Sequence, residues 1–369
     1  MKLLKIGEND ANQRLDKFLK KLLPNATKSL IYKLNRTNKI KIKKDPFFKK
    51  DDGLTLALEK EKKFKKRDND YKLKIWDEVK IFLIDEEFKE LTKSKKTPSS
   101  KNKKTKFSKK NIIFEDSDLL VINKDPWINV HPWDHKTKET NIIDQIQDYL
   151  WDLYDSLTFK PSLIHRIDRD TSGILMIAKK KDILTKLVND FKTKNLQDQA
   201  DDDQTDDCEE NNNKIKKTYY AIVLWKLSRK KWNIKKKLIR VEWAKNENKV
   251  QISENWQTAL TQYKLIEEYF IKIPQWTTVV SEVQIQIETW RTHQIRVHMA
   301  SMWNPILWDK TYWDKKLNSY LEKHLGLTRQ ALHASEIEFF HHGKKQKMEL
   351  KAELKKDLTD FIWKIHSFS

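Results

Sequence analysis

Glycine is scarce in this chain of 369 residues, which has 5 of them; an average soluble protein of that length carries Gly at ~7%, or roughly 26. Turns that need φ > 0 must therefore be built largely from something else. Cysteine is scarcer still. Cys208 stands alone, which excludes an intramolecular disulfide and any multi-cysteine zinc site and suits a reducing cytoplasm. Long apolar runs are missing as well, none approaching the roughly 18 residues a membrane span requires. Met1 to Asp10 offers Leu3, Leu4 and Ile6 before charges resume, so no export signal and no membrane partner are expected.

What the chain has instead is tryptophan, 14 residues of it. Trp-Asp or Trp-Asn occurs at Trp76-Asp77, Trp133-Asp134, Trp151-Asp152, Trp232-Asn233, Trp303-Asn304, Trp308-Asp309 and Trp313-Asp314, in polar surroundings with few apolar partners. Gly-Asp and Gly-Asn are turn dipeptides; Trp-Asp is not. Charge is equally uneven. The formal net charge is +21, of which residues 1–110, with 34 Lys+Arg and 16 Asp+Glu, hold +18 and the other 259 residues +3. A basic third attached to a nearly neutral body implies a module that grips a polyanion, RNA or DNA. The length allows two or three domains with a sizeable core.

One stretch organises the rest. His165-Arg166-Ile167-Asp168-Arg169-Asp170-Thr171-Ser172-Gly173 runs into Ile174-Leu175-Met176-Ile177-Ala178, a dense set of charges on a turn followed by an apolar run typical of a strand buried on both faces. A carboxylate leading into such a strand is held in place by the core. By itself Arg-x-Asp-x-Asp reads as a surface ion-pair cluster. The whole run, however, closely resembles the H-R-L-D-x-x-T-S-G signature of the RluA-type pseudouridine synthases, enzymes that isomerise uridine in RNA.

Further segments resemble that family in the same order. Leu119 to Lys124 reads as a strand leading to Asp125-Pro126-Trp127 and Val130-His131-Pro132-Trp133, similar to N-K-P-x-G and V-H-P-G, with Asp125 and Pro126 one place out. Lys217-Thr218-Tyr219-Tyr220-Ala221-Ile222-Val223-Leu224-Trp225 is similar to K-x-Y-x-A-x-V-x-G. Thr289-Trp290-Arg291-Thr292-His293-Gln294-Ile295-Arg296-Val297-His298 is similar to T-G-R-T-H-Q-I-R-V-H. Leu332-His333-Ala334 and a strand over Glu336 to Phe340 resemble the closing segment.

The resemblance implies that Asp168 is the catalytic residue, that Arg296 is its basic partner, and that Tyr219 stacks against the target base. It implies that Arg166 fills the space an extruded nucleotide vacates. His165, Thr171, Arg291 and His293 lie in the matching motifs and are expected to bind substrate. The reaction breaks the C1′–N1 bond, turns the uracil and joins C5 to C1′. The carboxylate either attacks C1′ or deprotonates C2′ to give a glycal, and must be ionised for both. No cofactor and no metal are expected. His131, His165, His293 and His298 lie in three separate segments without zinc-ligand spacing. With Trp read as Gly, Trp303 to Thr311 is a near-miss P-loop whose Lys310 comes one residue late and after a helix, so nucleotide binding is not expected.

Trp127, Trp133, Trp225, Trp256, Trp290, Trp303, Trp308 and Trp313 fall on glycines of the family, and so does Trp76. Most of the tryptophans are therefore expected to be glycine in the native protein, from UGA codons that the source organism reads as Gly. Mass spectrometry of the natively made chain checks this.

The N-terminal region carries Leu15, Phe18, Leu19 and Leu22 at helical spacing, a second helix over Ser29 to Leu34, and a strand with Ile40 and Ile42 alternating with lysines. Arg14-Leu15-Asp16-Lys17-Phe18-Leu19, Ser29 to Leu34 and Trp76-Asp77-Glu78-Val79 resemble the small RNA-binding domain named after a ribosomal small-subunit protein. Lys17, Lys28 and Arg36, with Lys20, Lys21, Lys33, Lys39 and Lys41, would then supply phosphate contacts, which give affinity and register without base specificity.

The expected organisation is a basic RNA-binding domain over 12–88, a Lys-rich linker over 89–110 and a catalytic domain over 111–365. Residues 198–213 form a disordered acidic insertion, with eight carboxylates and no basic residue between 198 and 210. Helical spacing marks Ile142 to Leu150, Leu184 to Phe191, and a helix whose apolar face is Ile295, His298, Met299 and Met302, placing Arg296 off that face. Strands are expected over Thr258 to Ile271 and Val279 to Glu288. The fold class is α+β, a catalytic domain with a mixed, mainly antiparallel sheet plus a small α/β N-terminal domain. The function is uridine isomerisation in RNA by a monomer in the cytoplasm, with large-subunit ribosomal RNA favoured over transfer RNA. A competing expectation is a non-catalytic RNA-binding or ribosome-assembly factor that retains the fold.

Overall fold

The spacing of Leu15, Phe18 and Leu19 folds into α1 (Leu15–Leu22), which follows β1 (Lys2–Lys5); the three apolar side chains are buried and Lys17 and Lys20 lie in solvent. The computed structural model describes residues 1–44, 47–49, 55–57, 63–93, 107–132, 140–151, 156–197, 215–241, 249–254, 256–273, 276–313 and 315–367. They divide into two compact units. The first is Met1–Thr105, Ile146–Pro161 and Lys180–Asp182, and the second Lys106–Gln145, Ser162–Lys179 and Ile183–Ser369.

In the first unit α2 (Lys28–Arg36) starts at Thr27, whose hydroxyl accepts from the backbone N–H of Leu30 at 3.2 Å, satisfying one of the donors a helix start leaves free. Next come β2 (Ile40–Lys43), the hairpin strands β3 (Phe47–Lys49) and β4 (Thr55–Ala57), and β5 (Glu78–Ile81). The order β1-β5-β2 is antiparallel, and Ile40, Ile42, Val79 and Ile81 alternate inward onto α1 and α2 while the lysines point out. That is the two-residue period of a half-buried sheet.

Both expected edges of the N-terminal domain move. Its start at residue 12 is too late, because β1 pairs with β5 and Ile6 is fully buried in this unit's core. Its end at 88 is too early: α3 (Asp85–Thr92) runs into the expected linker. Phe88 and Leu91 pack on the core, and the Asn25 amide donates to the carbonyls of Glu90 and Lys93. Residues 94–106 and the acidic stretch 198–213 lie outside the described residues. Asp10 adds residues 156–158 to this unit, its carboxylate accepting from the N–H groups of Leu157 and Thr158, both at 2.8 Å.

The second unit is built on one sheet. Its elements are β6 (Ile112–Glu115), β7 (Leu119–Lys124), α4 (Ile142–Tyr149), which continues into residues of the first unit, β8 (Ser162–Leu163) and β9 (Ser172–Ala178). After α5 (Lys181–Gln197) come β10 (Lys216–Leu224), β11 (Lys231–Arg240), β12 (Val250–Ile252), β13 (Gln257–Ile273) and β14 (Trp276–Ile287). The chain closes with α6 (Gln294–Ala300), α7 (Lys315–Leu325), β15 (Leu332–His341), β16 (Gln346–Lys351) and α8 (Lys356–Ser367). The strand order is β12-β11-β13-β14-β10-β15-β9-β7-β6, with β16 on β15 and β8 on β9. Neighbours are antiparallel except β9 and β15, which run parallel, so the fold is α+β with a mixed, mainly antiparallel sheet. All seven residues of β9 are buried, as its continuous apolar run requires. Among the described residues no helix is long and apolar enough to cross a membrane.

The parallel pairing depends on Gly173. Its φ is +109°, and a Cβ there would stand 2.2 Å from the carbonyl oxygen and 2.6 Å from the nitrogen of Ala334. Gly173→Ala must therefore push β9 and β15 apart where they meet, at Ser172–His333 and Gly173–Ala334. A loss of roughly 3 kcal/mol or more is expected, read as a lower melting midpoint; an unchanged midpoint would refute this account of the pairing.

Candidate active site

The turn before β9 is fixed from below by buried cations. Lys124, at the end of β7 opposite Gly173, is fully buried, and its amine donates to the carbonyls of Asp125, Ile128 and Arg169 at 2.7, 3.1 and 2.9 Å. Burial lowers its pKa to about 7, with the nearby Arg329 adding to the effect. Arg329 is also fully buried, forms a two-pronged ion pair with Asp357, and donates to the carbonyls of Asp170, Gln330 and Leu332. Thr171 closes the turn by donating its N–H to the Asp168 carbonyl at 3.2 Å, and its buried hydroxyl accepts from the Gln330 amide at 2.6 Å. Asp168 thus leaves a backbone held on three sides.

Its carboxylate meets α6. Arg296 donates through Nη1 to Asp168 Oδ2 at 3.0 Å, through Nε and Nη2 to the two carboxylate oxygens of Asp309 at 2.7 and 2.8 Å, and through Nη2 to the Thr311 hydroxyl at 3.0 Å. Asp309 is completely buried and also accepts from the N–H groups of Thr311 and Tyr312. A planar guanidinium is the side chain that serves two carboxylates in this way. His293, the left-handed residue that starts α6, lies 3.8 Å from Asp168 Oδ2 and shares a 2.9 Å hydrogen bond with Tyr312. Gln294 stitches the helix start to the sheet by donating to the Leu260 carbonyl and the Thr261 hydroxyl.

Burial alone would raise the Asp168 carboxyl, but the charges of His293 and Arg296 and hydrogen bonds from Arg296 and Gln330 outweigh it, and its pKa is lowered. Burial lowers His293 below its ordinary value, so near neutral pH the standing positive charge is that of Arg296, which the two carboxylates raise above its ordinary value despite its burial. Asp168 keeps 28% of its side chain exposed. It opens into a cleft of about 1610 Å³ that Tyr219, His165, Arg166, Arg291 and His131 also line. Burial, with the Asp168 charge next, raises the Tyr219 phenol, which stays protonated. Lys217, on the same face of β10 two residues earlier, is buried over the Phe191 and Trp290 rings.

The arrangement is an ionised carboxylate at the floor of a cleft, with a protonated aromatic wall and exposed arginine at the mouth. Residues 118–301 match the family described as RNA pseudouridylate synthase. The chain is 32% identical to the ribosomal large subunit pseudouridine synthase C of Buchnera aphidicola subsp. Schizaphis graminum, over 95% of this chain and 93% of that protein. The chain belongs to the RNA pseudouridine synthases. To the protein of the same description from Vibrio vulnificus the synthase is 31% identical, over 98% and 96% of the two chains. The solved structure of human RNA pseudouridylate synthase domain containing 4 has the same fold, with a TM-score of 0.51 at 21% identity, covering 70% of this chain and 93% of that one.

Eight residues singled out in the sequence, His165, Arg166, Asp168, Thr171, Tyr219, Arg291, His293 and Arg296, line this single cleft of the synthase. Lys17, Lys28 and Arg36 belong to the other unit and are exposed on α1 and α2. Arg296 is off the apolar face of its helix but not in solvent. Gln294 to Met299 are all buried: Asp309 and Thr311 hold the Arg296 guanidinium, and Val297 packs with Leu238, Val250, Ala259 and Tyr312. Asp309 is the residue that sequence reasoning missed. Its Trp308-Asp309-Lys310 context reads as a polar turn, and nothing local shows that it faces a guanidinium 13 residues earlier. Lys124 and Arg329 were equally silent, since a buried basic side chain held by carbonyls leaves no charge pattern in sequence, and so was Gln330, a lone amide whose partner Thr171 is distant in the chain. Trp133 lies outside the described residues.

Proposed function

We propose that this synthase converts uridine to pseudouridine in large-subunit ribosomal RNA, acting as a monomer in the cytoplasm, with Asp168 as its catalytic carboxylate. The observation that carries the reading is the Asp168–Arg296 contact of 3.0 Å at the floor of the cleft that Tyr219 lines. Arg296 keeps the carboxylate ionised and oriented, so that an oxygen is free to attack C1′ or to take the C2′ proton when the C1′–N1 bond breaks. C1′ and C5 of a stacked uridine are out of reach, so the nucleotide is extruded, its base received by Tyr219 and its place in the helix taken by the exposed Arg166. His165, Thr171, Arg291 and His293 complete the walls. Lys17, Lys28 and Arg36 contact phosphates along the RNA, adding salt-dependent affinity.

The choice of RNA is supported by the names of the relatives, large-subunit ribosomal synthases, and by the basic first 110 residues. Chemical mapping of pseudouridine in ribosomal and transfer RNA, from cells with and without the gene, tests it. Loss of one or more large-subunit sites, restored with the gene, is expected. Loss confined to transfer RNA would move the substrate, and no loss anywhere would favour a binding factor.

A further inference from the structure

Five tryptophans hold a backbone conformation that glycine alone adopts freely. Among the described residues nine that are not glycine have a positive φ, and five of the nine are Trp76 (71°), Trp127 (62°), Trp225 (65°), Trp303 (62°) and Trp308 (60°). Tryptophan is 14 of 369 residues, so its presence here is far beyond its share. Asn12 and Asn38, also in this region, have a short polar side chain that hydrogen-bonds locally. A bulky residue has no such means, and its Cβ crowds the following carbonyl.

Trp303 makes the mismatch plainest. At the end of α6 the N–H of Asn304 donates to the Met299 carbonyl and that of Trp303 to the Ala300 carbonyl, both at 3.1 Å. This pair of bonds is the Schellman closure, in which the left-handed residue, here Trp303, is usually glycine. The chain itself follows α7 with Gly326 at φ 73°. Packing does not offset the strain, since the Trp303 side chain is 75% exposed and those of Trp76 and Trp127 about half exposed. Trp308 is the opposite case. Its indole is buried in the wall of the cleft, next to Asp309, with an N–H that has no acceptor, a cost that a buried polar group ordinarily avoids.

We infer that positions 76, 127, 225, 303 and 308 are glycine in the protein as its own cell makes it, the tryptophan at each standing for a UGA codon which that cell reads as glycine. At 308 the change also removes an indole from the cleft beside Asp309 and Arg296, leaving that space to an extruded nucleoside. This consequence rests on the proposed function; the codon assignment does not, and the two are tested apart.

The gene carries UGA at these five codons if the inference holds, and peptides of the chain purified from its own cells contain glycine there. UGG codons, or tryptophan in those peptides, would overturn it. The strain is measured in recombinant chain. Trp76→Gly, Trp127→Gly and Trp303→Gly combined should raise the melting midpoint by about 5 °C, whereas Trp363→Gly, in the ordinary helical backbone of α8, should lower it. A triple variant that melts no higher removes the structural ground. Uridine-isomerisation rates of Trp308→Gly against the recombinant chain with tryptophan at 308 then read the cleft: a gain of tenfold or more is expected, and no gain overturns the opening at 308 without touching the codon assignment.

Discussion

Asp168→Asn is expected to stop pseudouridine formation, with turnover falling on the order of a thousandfold or more, about 4 kcal/mol of barrier, while RNA binding changes little and the melting midpoint at neutral pH falls only by what the lost charge contributed. The amide is nearly the shape of the carboxylate and its oxygen still accepts from Arg296 Nη1, which in turn keeps both prongs on Asp309. What it lacks is the negative charge that the proposed chemistry needs to attack C1′ or to remove the C2′ proton. The pH dependence follows from the lowered pKa of Asp168. A carboxyl whose folded-state pKa lies below its unfolded value stabilises the fold above that unfolded value, near 3.9, and the contribution is lost as pH falls through the folded-state pKa. Asp168 therefore adds no acid limb to the rate between about pH 5 and 8, and the Asn variant should lose less stability than the parent on acidification. Single-turnover labelling of pseudouridine and acid titrations of unfolding measure both. An Asn variant that turns over like the parent would remove Asp168 from the chemistry.

Much of what surrounds Asp168 was legible, because it obeys local rules. An apolar run with no polar interruption could only be a strand covered on both faces, and Ile174 to Ala178 is one. Leu15, Phe18 and Leu19 mark one face of α1 whatever the helix packs on. The rest depends on partners distant in sequence. β11, Lys231–Arg240, reads as a basic stretch because it pairs with β12 and β13 while burying little beyond Ile234 and Leu238. α3 was lost among lysines because two apolar side chains, Phe88 and Leu91, suffice to dock it. The parallel contact of β9 with β15 joins Gly173 to Ala334, and no pattern in either strand selects the other. In the site, the family motifs identified residues that face the cleft, whereas those that hold them from behind, Asp309, Lys124 and Arg329, are visible only once the chain is folded.

Arg296→Ala should cause the largest loss of stability of any single change in the cleft, because it strands Asp309. That carboxylate is fully buried, and without the guanidinium it keeps the Thr311 and Tyr312 N–H groups but no countercharge. Removing one member of a buried pair costs about 3–5 kcal/mol, which in a protein of this size is a fall of roughly 5 °C in melting midpoint. Activity disappears as well, since Asp168 loses its oriented partner. The two carboxylates divide these effects by their burial: Asp168, partly exposed, can be hydrated when Arg296 is gone, and Asp309 cannot. Arg296→Ala/Asp309→Ala should therefore recover part of the midpoint lost in Arg296→Ala, a negative coupling that thermal unfolding detects, yet recover none of the turnover. Arg296→Lys keeps the charge but cannot span both carboxylates with one planar fork, so it should fall between in stability and remain slow. If the double variant were instead less stable than either single, Asp309 would be serving the backbone of residues 309–312 rather than the guanidinium, and Arg296 would owe its position to Asp168 alone.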